Sequence, residues 1–132
     1  MKGCYPINPQ ANELAAIVQM HHLVYAAHEP ELGPYFRTLY HIFKFVDRDE
    51  AITTQEKIDY ANVARAQLSR FELAFMFYNC LTPYGEKFKP LIERYGLLKH
   101  INVADLPNIN HRQDPALYAQ TAFLSQEERE AL

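Results

Sequence analysis

TTQEKIDYANVARAQLSRFELAFMFYNCL, residues 53–81, contains neither Gly nor Pro. The stretch predicts one long helix over about 54–81. Thr53 and Glu56 have the spacing of a capping box at its start. The first half is amphipathic. The second half, Phe71 to Cys80, is apolar almost all round, and a helix of that kind belongs in the middle of a fold. It is therefore expected to touch helices from both halves of the chain, with Phe75 buried. One stripe stays polar: Asn62, Arg65, Ser69, Glu72 and Asn79, interrupted by Met76.

The flanking sequence also reads as helical. Residues 1–10 carry Gly3, Pro6 and Pro9 and are expected to form an irregular arm, with 11–132 a single helical domain. Leu14, Ile17, Val18, Leu23 and Val24 roughly follow the 3.6-residue period and predict a helix over about 11–28. Pro30 is expected to end it and Gly33-Pro34 to mark a turn. A second helix follows over about 34–48. Phe36, Leu39, Tyr40, Phe43 and Val46 form its apolar band, widened by Tyr35 and Ile42. Arg37, His41, Lys44 and Arg48 share a third face, and Asp47, Asp49 and Glu50 crowd its polar exit. Glu86 to Tyr95 predicts a short helix capped by Gly96. Residues 102–114 read as a loop, and Asp114-Pro115 as the start of a small helix to about Thr121. Ser125 and Glu128 form a second capping-box pair. No alternating strand pattern exceeds four residues. The reading is all-α: a single-domain bundle of about four main helices, a long central helix and small C-terminal helices.

A length of 132 residues suits one domain, and 48% hydrophobic with 22% charged residues excludes intrinsic disorder. Thirteen Lys plus Arg against sixteen Asp plus Glu leave −3, which excludes a wholly basic nucleic-acid coat but not a local patch. No apolar stretch approaches the ~20 residues that span a bilayer. Residues 1–15 lack the charged start, apolar run and cleavage site of a signal peptide. Cys4 and Cys80 lie far apart and form no CxxC pair, which predicts a reduced, cytoplasmic chain. The abrupt end at Leu132 is expected to mark either a fragment or a truncated gene.

Six histidines invite a metal reading, but no HxxxH, HExxH or Cys/His cluster occurs, and adjacent His21 and His22 point about 100° apart on a helix. No metal and no cofactor is therefore expected. Glu72 stands among Phe71, Leu73, Phe75 and Met76, so its carboxylate is expected to be partly buried and paired with Arg65 or Arg37. Residues 84–101 hold Lys87, Lys89, Arg94 and Lys99 against Glu86 and Glu93, four minus two, or +2. Tyr84, Phe88 and Tyr95 are interleaved. Basic residues with aromatics can contact single-stranded nucleic acid. The same residues also read as a short helix with a core face of Phe88, Leu91, Ile92 and Tyr95 and solvated lysines. Small all-α ribonuclease toxins of the HEPN type carry Arg, four to six residues, then His. Arg94 and His100 have that spacing, although Tyr95 and Gly96 depart from the pattern. Such a pair would assist 2′-hydroxyl attack without metal.

The run YFRTLYHIFKFVD (35–47), YANVARAQLSRFEL (60–73), FYNCL (77–81) and YGEKFKPLIERY (84–95) resembles, as a set and in this order, the phage abortive infection family of the AbiC-like group. The resemblance covers about 35–101. The matching residues are Tyr35, Arg37, Tyr40, Arg65, Gln67, Ser69, Glu72, Asn79, Lys87 and Lys89. The polar stripes inferred from spacing supply Arg37, Arg65, Ser69, Glu72 and Asn79 of these. What the resemblance implies is a bacterial or prophage-borne defence protein that limits phage spread by arresting the infected cell. Family members often carry N-terminal membrane helices; in this chain, membrane attachment is expected only through a missing N-terminal segment.

Together these readings predict a cytoplasmic anti-phage module that recognises an unknown phage or host component. Its expected binding residues are Arg37, His41, Arg65, Glu72, Asn79, Lys87 and Lys89, meeting in a polar pocket for an anionic group. Two alternatives stand beside it. One is a metal-independent ribonuclease toxin using His41, Arg94 or His100. The other is a homo-oligomerising structural domain.

Overall fold

The structure, a computed structural model, describes residues 9–132; the side chains of residues 9–12, 22 and 24 fall outside the description. Its α-helices are α1 (Pro9–Ala27), α2 (Glu29–Arg48), α3 (Thr54–Arg65), α4 (Arg70–Asn79), α5 (Lys89–Tyr95) and α6 (Gln126–Glu130). Short 3-10 turns occupy Val103–Asp105, Ile109–Gln113 and Gln120–Phe123, and the described residues contain no strand. The fold is all-α. Residues 1–8 of the expected irregular arm lie outside the described residues, and α1 begins at Pro9.

The expected long helix over 54–81 is two helices. Residues 66–69 leave the helical path, and α4 starts anew at Ser69, whose hydroxyl accepts the Glu72 N–H at 3.1 Å. The Glu72 carboxylate accepts the Ser69 N–H in return, also at 3.1 Å. Thr53 with Glu56 and Ser125 with Glu128 build the same reciprocal cap at α3 and α6. Each cap satisfies backbone N–H groups that a helix start leaves without partners, so a helix can begin here with no Gly or Pro beforehand.

The first two helices also differ from expectation. Pro30 starts α2 rather than ending α1, lying in the first turn where its missing N–H is not needed. Gly33 and Pro34 are inside α2, not in a turn. The small helix expected over 115–121 is a turn followed by the 3-10 segment Gln120–Phe123. Gly96 ends α5 in the left-handed conformation, φ 61°, as its C-terminal position predicts.

The central role falls to α4. Phe75, 8% exposed, stacks on Phe36 of α2 at 5.1 Å and on Tyr25 of α1 at 6.3 Å between ring centres. On the far side Phe77 packs on Tyr118 at 4.9 Å and Phe123 at 6.3 Å. The Tyr118 hydroxyl donates to the Phe77 carbonyl at 2.6 Å. Tyr78 meets His111, hydroxyl to Nδ1, at 2.9 Å. Phe71, expected in the apolar part, is 70% exposed and meets only the edge of the core, its ring 6.0 Å from that of Phe75. At the other end of α2, Asp47 is held by Arg94 and Tyr95 of α5, and its carbonyl accepts Lys57 Nζ of α3 at 2.7 Å.

Candidate functional site

A cleft of about 220 Å³ opens where α1, α2, the end of α4 and the loop before α5 converge. Arg37 of α2, Asn79 of α4 and Lys87 of the loop line it together with Tyr25, Tyr40 and Tyr84. The aromatic wall is local packing extended by tertiary contact. Tyr25 stacks on Tyr84 at 4.3 Å, and Tyr40 meets Phe88 edge-on at 5.6 Å.

The floor is polar. Asn79, the last residue of α4, is 3% exposed, and its Oδ1 lies 3.2 Å from His21 Nε2. Its carbonyl accepts the Thr82 hydroxyl at 2.6 Å, which folds the loop back over the helix end. Gly85 closes that fold: a Cβ there would stand 2.8 Å from the Asn79 carbonyl oxygen. On the rim, Arg37 Nη1 lies 3.1 Å from Glu29 Oε1 and remains largely exposed. Burial raises the Tyr25 hydroxyl above its ordinary pKa of 10.0; the Arg37 charge opposes this, while Glu29 and Tyr84 add to it. The cleft thus offers cationic groups over an aromatic wall and a buried amide. That combination suits a small group carrying both negative charge and a flat or hydrogen-bonding part.

Arg37, Asn79 and Lys87 are the expected binding residues that the fold brings together. The others are dispersed. His41 lies further along α2 and, with Lys44 and Arg48, lines a broad surface hollow of about 750 Å³ edged by Asp49 and Glu50. Lys89 sits over the Tyr118 ring at 5.5 Å. Arg65 Nη1 donates to the Gly96 carbonyl at 3.2 Å. The ion pair expected between Glu72 and Arg65 or Arg37 does not form. Glu72 is half-buried and engaged with Ser69, because the break before α4 turns it into a cap residue.

The two members of the ribonuclease-like spacing have different surroundings. Arg94 Nη1 lies 2.7 Å and 2.6 Å from the two Asp47 carboxylate oxygens. His100 is exposed, its pKa lowered from 6.5 first by burial and then by the charges of Arg65 and Lys99. Among the described residues, no three His, Cys, Asp or Glu side chains group to hold a metal ion.

Sequence reasoning missed Tyr25, weighed His21 only as a metal ligand, and placed Tyr84 only among the aromatics of the basic segment 84–101. His21 and Tyr25 are four apart on α1, so one face was legible. Nothing in the sequence aimed that face at Asn79, 58 residues on.

An all-α chain with a basic, aromatic cleft at the end of its central helix is the class that fold and site define. The family model described as "Putative phage abortive infection protein" matches residues 27–106, and the chain belongs to that family. The matched segment runs from the end of α1 through α5 and contains Arg37, Asn79 and Lys87. Neither the curated proteins nor the solved structures compared with the chain include a match. No helix among the described residues is long and apolar enough to cross a membrane.

Proposed function

We propose that the chain is a bacterial, cytoplasmic anti-phage module that uses the cleft to recognise an anionic group of a phage or host component. Membership of the abortive infection family supports the biological role. The convergence of Arg37, Asn79 and Lys87 in one cleft, from three separate parts of the sequence, carries the recognition reading. Arg37 and Lys87 would hold the charge, Asn79 would read a polar edge, and the tyrosines would contact the flat part. Recognition of this kind needs positioned donors and no reacting group.

The test is phage protection in cells alongside thermal stability of the purified protein. Arg37→Lys and Lys87→Gln should lose protection while melting unchanged. Protection intact in both, or lost only in step with stability, ends the reading. Incubation with total RNA without added metal separates the ribonuclease alternative. Cleavage lost in His41→Ala or His100→Ala would favour it.

A second reading rests on the outer face of α2. Tyr35, Thr38, Ile42 and Phe45 are exposed, Phe45 by 72%, at alternating spacings of three and four. That is the repeat of a coiled-coil seam. Surface hollows lined by these residues run along the same face. It favours self-association through α2, with a second copy as the partner. Light scattering of the wild-type chain and of Phe45→Glu tests it, a dimer reduced to monomer by the substitution being the supporting result.

A further inference from the structure

Two half-buried guanidinium groups flank the Gly96 turn. Arg65, in the last turn of α3, donates through Nη1 to the Gly96 carbonyl at 3.2 Å. Arg129, in α6, donates through Nη1 to the Leu124 carbonyl at 2.7 Å. That same Nη1 and the Leu124 carbonyl crowd the place where a Gly96 Cβ would stand, so both arginines reach one short piece of backbone. Only a residue without a side chain lets them do so. Lys99 and His100 follow in the chain, and the Lys99 N–H shares the Gly96 carbonyl with Arg65 at 3.1 Å.

Among the described residues, neither arginine lies within ion-pair distance of a carboxylate. Glu128 is engaged in the cap at Ser125, and Glu130 accepts from Gln126 at 3.0 Å. The Arg65 Nε is buried with no hydrogen-bond partner. Burial lowers the pKa of both guanidiniums; the Arg129 charge lowers that of Arg65 further, and the Glu130 charge only partly opposes the shift at Arg129. Adjacent cations stripped of part of their water and left with unused donors are unfavourable unless an anion joins them.

We propose that the surface beside Gly96 is a phosphate-binding site, clamped by Arg65 and Arg129 and rimmed by Lys99 and His100. A tetrahedral phosphate has oxygens enough to engage both guanidiniums and the ammonium at once. The site is separate from the cleft: it uses α3, the turn after α5 and α6, and none of the cleft residues.

Titration of the full chain with sodium phosphate, against sodium chloride at matched ionic strength, tests it by calorimetry and melting temperature. Phosphate should bind saturably and raise the melting temperature. Arg65→Lys and Lys99→Gln should each weaken binding about tenfold, Arg48→Gln, a surface cation outside both sites, should leave it unchanged, and Arg37→Lys reports separately on any anion held in the cleft. Among the described residues the Lys99 side chain makes no hydrogen bond, so its variant guards against misfolding of Arg65→Lys. Titrations with a mononucleotide and a short oligoribonucleotide then identify the carrier. Tighter binding of the oligomer assigns a phosphodiester chain, and equal binding assigns a small phosphorylated molecule. No phosphate-specific stabilisation, binding indifferent to both substitutions, or binding lost only in Arg37→Lys overturns the proposal.

Discussion

Arg94 reaches both oxygens of Asp47 across 47 residues of sequence, at 2.7 and 2.6 Å, and so ties the end of α2 to α5. Tyr95 donates its hydroxyl to the same carboxylate. Burial by itself would raise the Asp47 pKa, but the hydrogen bonds from Arg94 and Tyr95 and the charges of Arg94 and Lys57 outweigh it and hold it below 3.8. Burial and the Asp47 carboxylate push Tyr95 up to about 12.

A carboxyl with a native pKa below its unfolded value stabilises the fold fully above the unfolded value. That stability is withdrawn as pH falls through 3.8 towards the native pKa. Asp47→Asn should therefore cost about 1–3 kcal/mol at neutral pH, measured by urea unfolding. The difference between wild type and variant should shrink below pH ~4. An undiminished difference in acid would show that the charge of Asp47 is not what matters.

Ser69 and Glu72 separate two accounts of α4. As a cap, Ser69→Ala should cost about 1 kcal/mol. Glu72→Gln, which keeps a side-chain acceptor for the Ser69 N–H, should cost less. A buried Glu72 ion pair would instead lose about 3–5 kcal/mol on neutralisation. Chemical denaturation of the two variants decides between them.

Phe75 contacts rings from α1, α2 and α4 itself. Phe75→Ala should cost about 3–5 kcal/mol through the cavity it leaves, read from the denaturation midpoint at unchanged slope. A loss below about 1 kcal/mol would place Phe75 outside the core.

Cys80 is 1% exposed, and burial raises its thiol pKa far above the ordinary value. The thiolate is the reactive form, so Cys80 should be inert in the native protein. In a Cys4→Ser background, a thiol reagent should label nothing until denaturant is added. Immediate labelling would mean that the end of α4 opens readily.

The sequence by itself determined what rests on neighbours three or four residues apart. Caps at Thr53 and Ser125, the left-handed stop at Gly96 and the apolar girth of α4 all arise within one or two turns. The break before α4 was legible in the same terms, since Ser69 and Glu72 repeat the Thr53 and Glu56 spacing. Unbroken helix formers on either side concealed it. Only the tertiary structure decided which polar residues meet. Arg37, Asn79 and Lys87 lie on separate elements, and so do Arg65 and Arg129. Their convergence depends on how the helices cross and where the loops after α4 and α5 turn back. Those crossings are set by the shapes of Phe36, Phe75, Phe77 and Tyr118 packing together, which residue spacing along one helix does not encode.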